Sequence, residues 1–470
     1  MTDVLELALS TMRVARRGPA SAAETCSQYE LSDLGNARRL VDAFGDDLLY
    51  ASEWGQWLVW TGSHWERDVT GCVFRCIKAI TETILDEARA TADDKLFTWG
   101  IRSQSAAGLN GAVRVATTEP TIPVLVDQLD ADPWKLSVNN GTLDLRTCEL
   151  RSPDRADLIT KVAPVDYEPD VPCPTFDAFL ERILPDPTLR WFLQKVIGYC
   201  LTGLTTEQVL FALYGFGANG KSTFAEVLFA MLGEHAAAAS PRLLVVEKHS
   251  EHPTAIANLH GRRLVVTQEI EAGHRFDEAL VKQLTGSDRL TARYMRQDFW
   301  SFTPTHKLIV CCNHKPGIQG TDLAIWRRIH LIPFTVSIPA EEQDKHLLDK
   351  LKTELPGILA WAVRGCLVWQ HEGLVPPKAV VEATEEYRVE NDEVAQFLAD
   401  TCGVDETYRV SSTSLYEAYI AWASSNGIRN PLSQKALAPR IRERGFDRSE
   451  THHPHRVWWM GLGLRHAIAE

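Results

Sequence analysis

The stretch from Leu210 to Phe224, Leu-Phe-Ala-Leu-Tyr-Gly-Phe-Gly-Ala-Asn-Gly-Lys-Ser-Thr-Phe, constrains this chain more than any other. An apolar run (Leu210 to Tyr214) breaks into a glycine-rich turn. The turn feeds a segment whose apolar residues, Phe224, Val227, Leu228, Met231 and Leu232, recur at helical spacing. Gly215-x-x-x-x-Gly220-Lys221-Ser222 spans the turn and fits a phosphate-binding loop. Each part has a chemical reason. Glycines let backbone amides close around phosphate oxygens, and a helix N-terminus adds a positive dipole. Gly215, Phe216, Gly217, Ala218, Asn219, Gly220, Lys221, Ser222 and Thr223 are therefore expected to bind a nucleoside triphosphate, ATP with Mg²⁺. Lys221 would neutralise the β- and γ-phosphates, and the Ser222 hydroxyl would hold the metal.

Downstream, the short apolar strand Leu264-Val265-Val266-Thr267 runs into Gln268-Glu269-Ile270-Glu271. A carboxylate at the end of such a strand can hold Mg²⁺ and polarise the attacking water. Glu269 is the first candidate; Glu271 is either the water-activating group or a surface charge. Phe276 to Leu284 predicts a helix, and Leu290 to Phe302 a hairpin turning near Arg296-Gln297-Asp298. Arg293, Tyr294 and Arg296 on that hairpin mix charge with an aromatic ring, which suits a single-strand backbone. On pattern alone an ordinary hairpin with solvated charges is the simpler reading. The strand Lys307 to Cys312 delivers Asn313, either a γ-phosphate sensor or a loop-starting asparagine. Arg327 and Arg328 precede another apolar strand, placed either as a finger for a neighbour's phosphate or as a salt-bridged pair.

Before the core, residues 1 to about 28 predict a short helix and a flexible segment, and a helix begins near Ser32/Asp33. Trp54, Trp57, Trp60 and Trp65 fall in a short antiparallel sheet, where burial in a module's core is a commoner fate than base stacking. Residues 73–90 and 95–116 predict helices, and Asn140-Gly141 predicts a hairpin turn. After the core, 340–372 predicts helix, and Pro376-Pro377 marks a junction. From about Asn391, helices followed by a terminal β-ribbon suggest a winged helix. Eight Lys/Arg face three Asp/Glu between Arg429 and His466, a local excess of five. Lys435, Arg440, Arg442 and Arg444 fall on the presumed recognition helix, positioned for phosphates or base edges. His452-His453-x-His455 reads as a polar wing tip.

The 470 residues carry a net charge of −13, so DNA binding must come from such local patches. The ten cysteines are scattered, and neither Cys72/Cys76 nor Cys311/Cys312 has a companion pair for zinc, so free thiols in a reducing compartment are expected. With no apolar run near the ~20 residues of a membrane span and no signal peptide, a cytoplasmic protein without membrane partners is the default.

The later motifs gain meaning from their order. The phosphate loop, then Glu269, Thr285-Gly286-x-Asp288 with Ala292-Arg293, Asn313-His314-x-Pro316, and Trp326-Arg327-Arg328 with Pro333-Phe334 resemble the superfamily III helicase core. The set is similar to the phage- and plasmid-type primase–helicase family shared with poxviruses. Upstream, Asn139 to Leu145, Gly198-Tyr199 and Leu201-Thr202-Gly203 resemble that family's segment before the core. The similarity covers roughly residues 35–465. It implies an α/β fold with an AAA+-like P-loop core, a parallel sheet flanked by helices, assembled as a homo-hexamer with ATP between subunits. It makes Lys221 and Ser222 phosphate and metal ligands, Glu269 the acidic residue, Asn313 the sensor and Arg327 or Arg328 the finger. The hairpin would grip single-stranded DNA in a central channel. Gln268 stands where relatives carry an acidic residue. With no room before residue 35 for the polymerase-type domain of many relatives, primer synthesis is not expected of this chain.

Four segments follow: a flexible 1–30, an N-terminal α+β domain 31–170, an ATPase domain 171–375 and a winged-helix domain 376–470. The leading expectation is an ATP-dependent replicative DNA helicase of a phage, prophage or plasmid-like element, acting on single-stranded and forked DNA beside a separate primase. The alternative is an origin-binding initiator that uses ATP to melt DNA locally.

Overall fold

The computed structural model describes residues 29–246, 253–268, 270, 273–296, 298–318, 323–428, 431–452 and 455–465. The helix expected before residue 28, and Glu269 and Glu271, lie outside the described residues.

Helix α1 (Asp33–Phe44) starts at Ser32, whose hydroxyl accepts from the Gly35 amide and satisfies one orphan donor of the first turn. Strands β1 (Leu48–Ala51), β2 (Gln56–Trp60) and β3 (Trp65–Arg67) pair antiparallel. Trp54, Trp60 and Trp65 are buried, as the core reading expects. Helix α2 (Cys72–Thr91) follows, but the predicted 95–116 helix is two, α3 (Asp94–Ser103) and α4 (Ala106–Ala116). The break comes at Gln104-Ser105, where the Ser105 side chain accepts from the Gly108 amide and starts a new helix. β4 (Pro123–Val124) then joins β1 in parallel.

Strands β5 (Lys135–Val138), β6 (Gly141–Asp144) and β7 (Glu149–Arg151) form a meander. Val138 pairs with Gly141, so the turn is Asn139-Asn140, one residue earlier than predicted. The Asn140 side chain is fixed by two bonds to the backbone of Tyr167, which holds the turn in that register. Helices α5 (Pro174–Ile183) and α6 (Pro187–Leu201) lead to the centre of the molecule.

That centre is a parallel sheet. Its strands are β8 (Leu210–Tyr214), β9 (Ala236–Ala239), β10 (Leu264–Gln268), β13 (Lys307–Cys312) and β14 (Ile329–Pro333), in the order β14-β8-β13-β10-β9. Helix α7 (Lys221–Leu232) follows β8; the short α8 (Pro253–Ala257) precedes β10. Helix α9 (Glu278–Thr285) and the antiparallel pair β11 (Leu290–Ala292) and β12 (Trp300–Phe302) lie between β10 and β13. The predicted helix start at Phe276 moves to Glu278, because Phe276 bridges Val245 and Asp277 caps the helix. The sheet is buried on both faces, which is why its strands read as continuous apolar runs. Phe211, Leu213, Ile309 and Cys311 face one core; Leu210, Ala212, Leu308 and Val310 face the other.

Helix α10 (Leu323–Trp326) precedes β14, and the predicted 340–372 helix divides into α11 (Leu347–Thr353) and α12 (Leu355–Glu372). Helix α12 crosses α6 almost backbone to backbone: a Cβ on Gly198 would lie 2.1 Å from the Cys366 nitrogen, and one on Gly365 2.1 Å from the Gln194 carbonyl oxygen. Helix α13 (Lys378–Glu390) covers the β14 edge, where Thr384 Oγ1 accepts from the Leu331 amide at 3.0 Å. Tyr387 sits in the same core as Trp326. The helix after Pro376-Pro377 thus packs on the parallel sheet.

The C-terminal unit has its own core around Phe397, Tyr419 and Trp459. It runs α14 (Glu393–Thr401), β15 (Cys402–Ser411), α15 (Ser412–Ser425), α16 (Gln434–Arg442), β16 (Arg448–His452) and β17 (His455–Leu464). The sheet order is β15-β17-β16. No described helix is long and apolar enough to cross a membrane.

Candidate functional site

The chain leaves β8 for α7 and the far edge of the sheet, and leaves β13 for β14 on the other side of β8. The carboxyl ends of β8 and β13 therefore flank a crevice where the connections diverge, the place where open α/β sheets receive ligands. Cys312 pairs with Tyr214, so Gly215 and Asn313 emerge side by side. Gly220 closes the turn at φ +82°, a backbone state that costs glycine little, and hands the chain to α7 at Lys221.

Lys221 lies at the floor of the crevice, 5 % exposed. Its ammonium donates to the Gly215 carbonyl at 2.5 Å, to Asn219 Oδ1 at 3.0 Å and to Asn313 Oδ1 at 3.1 Å. All three of its donors are spent on neutral oxygens, and burial lowers its pKa. A buried cation held by dipoles is well placed to take anionic oxygens in exchange. The Asn219 amide donates to the Phe334 carbonyl at 3.3 Å, and the Ala218 carbonyl accepts from Ile338, so the loop is tied to the chain beyond β14. Ser222 and Gly217 are exposed, Thr223 is half-buried, and Phe216 stands 71 % exposed above the loop. The residues present fit a triphosphate with its metal: one cation at the floor, a free-standing hydroxyl beside it and a tight glycine turn. Burial pushes the neighbouring Cys311 and Cys312 thiols up to about 12, which leaves them unreactive packing groups.

The other candidates divide sharply. Arg328 is drawn into the fold, donating to the Ala324 carbonyl at 2.7 Å and to Gln208 Oε1 at 3.3 Å, and cannot reach outward; Arg327 beside it is exposed. On the hairpin, Arg296 stands at the tip with φ +63° between Met295 and Phe299, which are 69 % and 57 % exposed. The Arg293 guanidinium lies over the Phe299 ring at 4.6 Å. Tyr294 packs toward the body rather than standing at the hairpin tip: its hydroxyl accepts from Arg67 at 3.3 Å and its ring lies 6.2 Å from Trp300. In the C-terminal unit, Lys435 and Arg442 are exposed on α16 and Arg440 is half-buried. Arg444, placed on that helix from sequence, lies beyond its end and is ion-paired with Asp392. His452 pairs with His455 across the β16–β17 turn, and His453 lies outside the described residues.

One residue went unnoticed in the sequence. Lys315 donates to Glu390 at 2.7 Å and sits 5.1 Å over the Tyr214 ring, beside the loop. Its only signal was a basic residue two positions after Asn313.

Three matches to protein families run along the chain in order. D5 N terminal like covers residues 37–185, a family of unknown function (DUF5906) covers 213–328, and poxvirus D5 protein-like covers 389–452. A protein of Acanthamoeba polyphaga mimivirus, provisionally named helicase L207/L206, is 28% identical over 343 residues, 67% of this chain and 36% of its own. A Frog virus 3 protein, provisionally named helicase 022R, is 28% identical over 284 residues, 55% of this chain and 29% of its own. An African swine fever virus protein, provisionally named primase C962R, is 24% identical over 213 residues, 43% of this chain and 22% of its own. This chain thus spans about a third or less of the length of these relatives. Among solved structures, the apo NrS-1 C-terminal region superposes with a TM-score of 0.52 at 11% identity, over 92% of this chain and 100% of that one, and shares the mixed α/β fold. Together these matches support a primase–helicase family member, with D5-like modules before and after the central sheet.

Proposed function

We propose that this chain is an ATP-driven DNA helicase of the superfamily III type, with the Gly215–Thr223 loop as its P-loop. The observation that carries the reading is Lys221: a buried ammonium between the carboxyl ends of β8 and β13, held by three neutral oxygens. Bound ATP–Mg²⁺ would supply phosphoryl transfer to water as the source of free energy. Lys221 would exchange its present acceptors for phosphate oxygens, and Ser222 with Glu269 would hold the metal. Because Asn313 Oδ1 is one of those acceptors, occupancy of the loop would be felt at once by the residue that follows β13. Arg327, exposed where Arg328 is internal, is our choice for the finger offered to a neighbouring subunit of a hexameric ring.

Around this motor we propose an N-terminal α+β unit over 31–170 and a C-terminal winged helix. The start of the latter moves from residue 376 to about 391, since α13 packs on β14. The β15-β17-β16 order, with α15 and α16 between β15 and β16, supports that reading. Lys435 and Arg442 on α16 are its DNA contacts, and Met295, Arg296 and Phe299 at the hairpin tip grip the single strand.

ATP-dependent strand displacement on forked DNA tests the reading, with Lys221→Ala as control. Displacement abolished in the control supports a motor; persistent hydrolysis by Lys221→Ala would sink the site. Short local melting without displacement of long duplexes would favour an initiator. Arg327→Ala mixed with Lys221→Ala should regain part of the hydrolysis if sites are shared between subunits, and no recovery at any ratio counts against the finger.

A further inference from the structure

A cavity of about 310 Å³ opens where the N-terminal sheet, the Thr160-Lys161 segment and the root of the β11–β12 hairpin meet. That volume lies at the small end of ligand pockets. In a chain of net charge −13, three of its lining side chains are cations: Arg67, Lys161 and Arg262. Two carboxylates, Glu66 and Glu234, also line it, and the pairing of acid with cation is uneven. Lys161 has Asp130 at 3.7 Å, but the Asp130 carboxylate already accepts from both the Thr160 amide and hydroxyl. Arg262 donates to the carbonyls of Glu234 and Ala236, not to a carboxylate, and its Nε is buried without a partner. The Glu234 carboxylate accepts from the Val162 amide, lies 3.9 Å from His64 and acts on Arg262 through space rather than by a direct bond. Arg67 is spent on aromatic rings, 4.6 Å from Trp54 and 5.3 Å from Tyr294. A guanidinium against aromatic rings, beside a buried ammonium and a second guanidinium, is what a nucleotide asks of a pocket: a surface for the base and charge for the phosphate.

We propose that this cavity is a nucleotide pocket, taking one nucleotide of the single strand gripped by the hairpin, with its phosphate at Lys161 and Arg262 and its base beside Arg67 and Tyr294. The proposal rests on the DNA-motor reading above, and adds a fixed holding point beneath the moving tip. Burial lowers the pKa of both Lys161 and Arg262, so an arriving anion relieves a cost the empty cavity carries. Tyr294 links the two parts: it belongs to the hairpin, and Arg67 of the N-terminal sheet holds its hydroxyl.

The test is binding of a fluorescein-labelled oligothymidylate to the full chain across a salt series. Lys161→Met and Arg67→Gln are the variants, and thermal melting checks folding. Arg67 is exposed, so its variant tests the pocket even if Lys161→Met unfolds. Lys161→Met should weaken binding about tenfold and reduce the salt slope by about one, as removal of one phosphate contact does. Arg67→Gln should weaken it several-fold with less change in slope. Competition by free thymidine monophosphate at equal nucleotide concentration would assign the pocket to a free nucleotide; competition only by the strand assigns it to DNA. Folded variants that bind with unchanged affinity and slope overturn the pocket while leaving the motor standing. A wild-type chain that binds no oligothymidylate overturns both.

Discussion

Lys221 and Lys307 are both buried lysines, and they sit at opposite ends of the central sheet. Lys307 opens β13 and is 2 % exposed; Lys221 lies beside Asn313, just past the other end of the same strand. Among the described residues, neither has a carboxylate partner in reach. Lys307 donates to the Thr202 and Thr305 carbonyls and lies 5.1 Å over the Tyr199 ring. It staples α6 to the sheet from inside. Lys221 makes the same kind of bonds, but one acceptor is a loop carbonyl and two are side-chain amides, which can turn away. The chemistry is alike at both ends. What differs is whether the acceptors can leave, and on that difference rests the proposal that Lys307 is structural and Lys221 binds a ligand.

The comparison breaks most cleanly at Lys221. Lys221→Ala should lower ATP hydrolysis at least 100-fold while the melting temperature stays within a few degrees, measured by steady-state turnover and calorimetry. Lys307→Ala should do the reverse, costing several kcal/mol of stability by leaving two buried carbonyls unsatisfied, roughly 1–3 kcal/mol each, with turnover per folded molecule retained. Equal effects of the two on turnover would erase the distinction.

Its pH dependence sharpens it. Burial brings Lys307 down from 10.5 to about 7. Between those values the unfolded chain holds the extra proton, so this residue makes stability rise with pH, up to roughly 3–5 kcal/mol across the window. Lys307→Met should flatten that rise in urea titrations between pH 7 and 10. At the acid side, burial holds His260 and His306 at about 3 and His330 at about 4. Their neutral forms stabilise the fold above pH 6.5, and each costs about 1.4 kcal/mol for every unit below it. Melting temperature should fall steeply from pH 6.5 to 4.

The smallest effect concerns the arginine pair. Arg327→Ala should leave stability within about 0.5 kcal/mol, whereas Arg328→Ala should destabilise by 1–3 kcal/mol through the orphaned Ala324 carbonyl and Gln208. Equal melting temperatures would show that the two arginines are not divided as proposed.

Much of this was readable from the chain alone, where local rules suffice. The strand–loop–helix at 210–232, β13 at Lys307–Cys312, the Ser32 cap and the buried tryptophans follow from apolar period, glycine placement and short polar side chains. All of these depend on neighbours a few residues away. The sequence also made Arg327 and Arg328 equals, because their spacing is the same to any reader. Only packing separated them, by giving Arg328 internal acceptors. Tyr294 turned inward because Arg67, 227 residues earlier, holds its hydroxyl. Arg444 lies beyond the end of α16 and pairs with Asp392. The cavity joining Arg67, Lys161 and Arg262 has no motif, since its three cations come from three segments. A short-range pattern fixes an element and a glycine-rich turn; whether a charged side chain is spent inside or offered outside is set by what the fold brings against it.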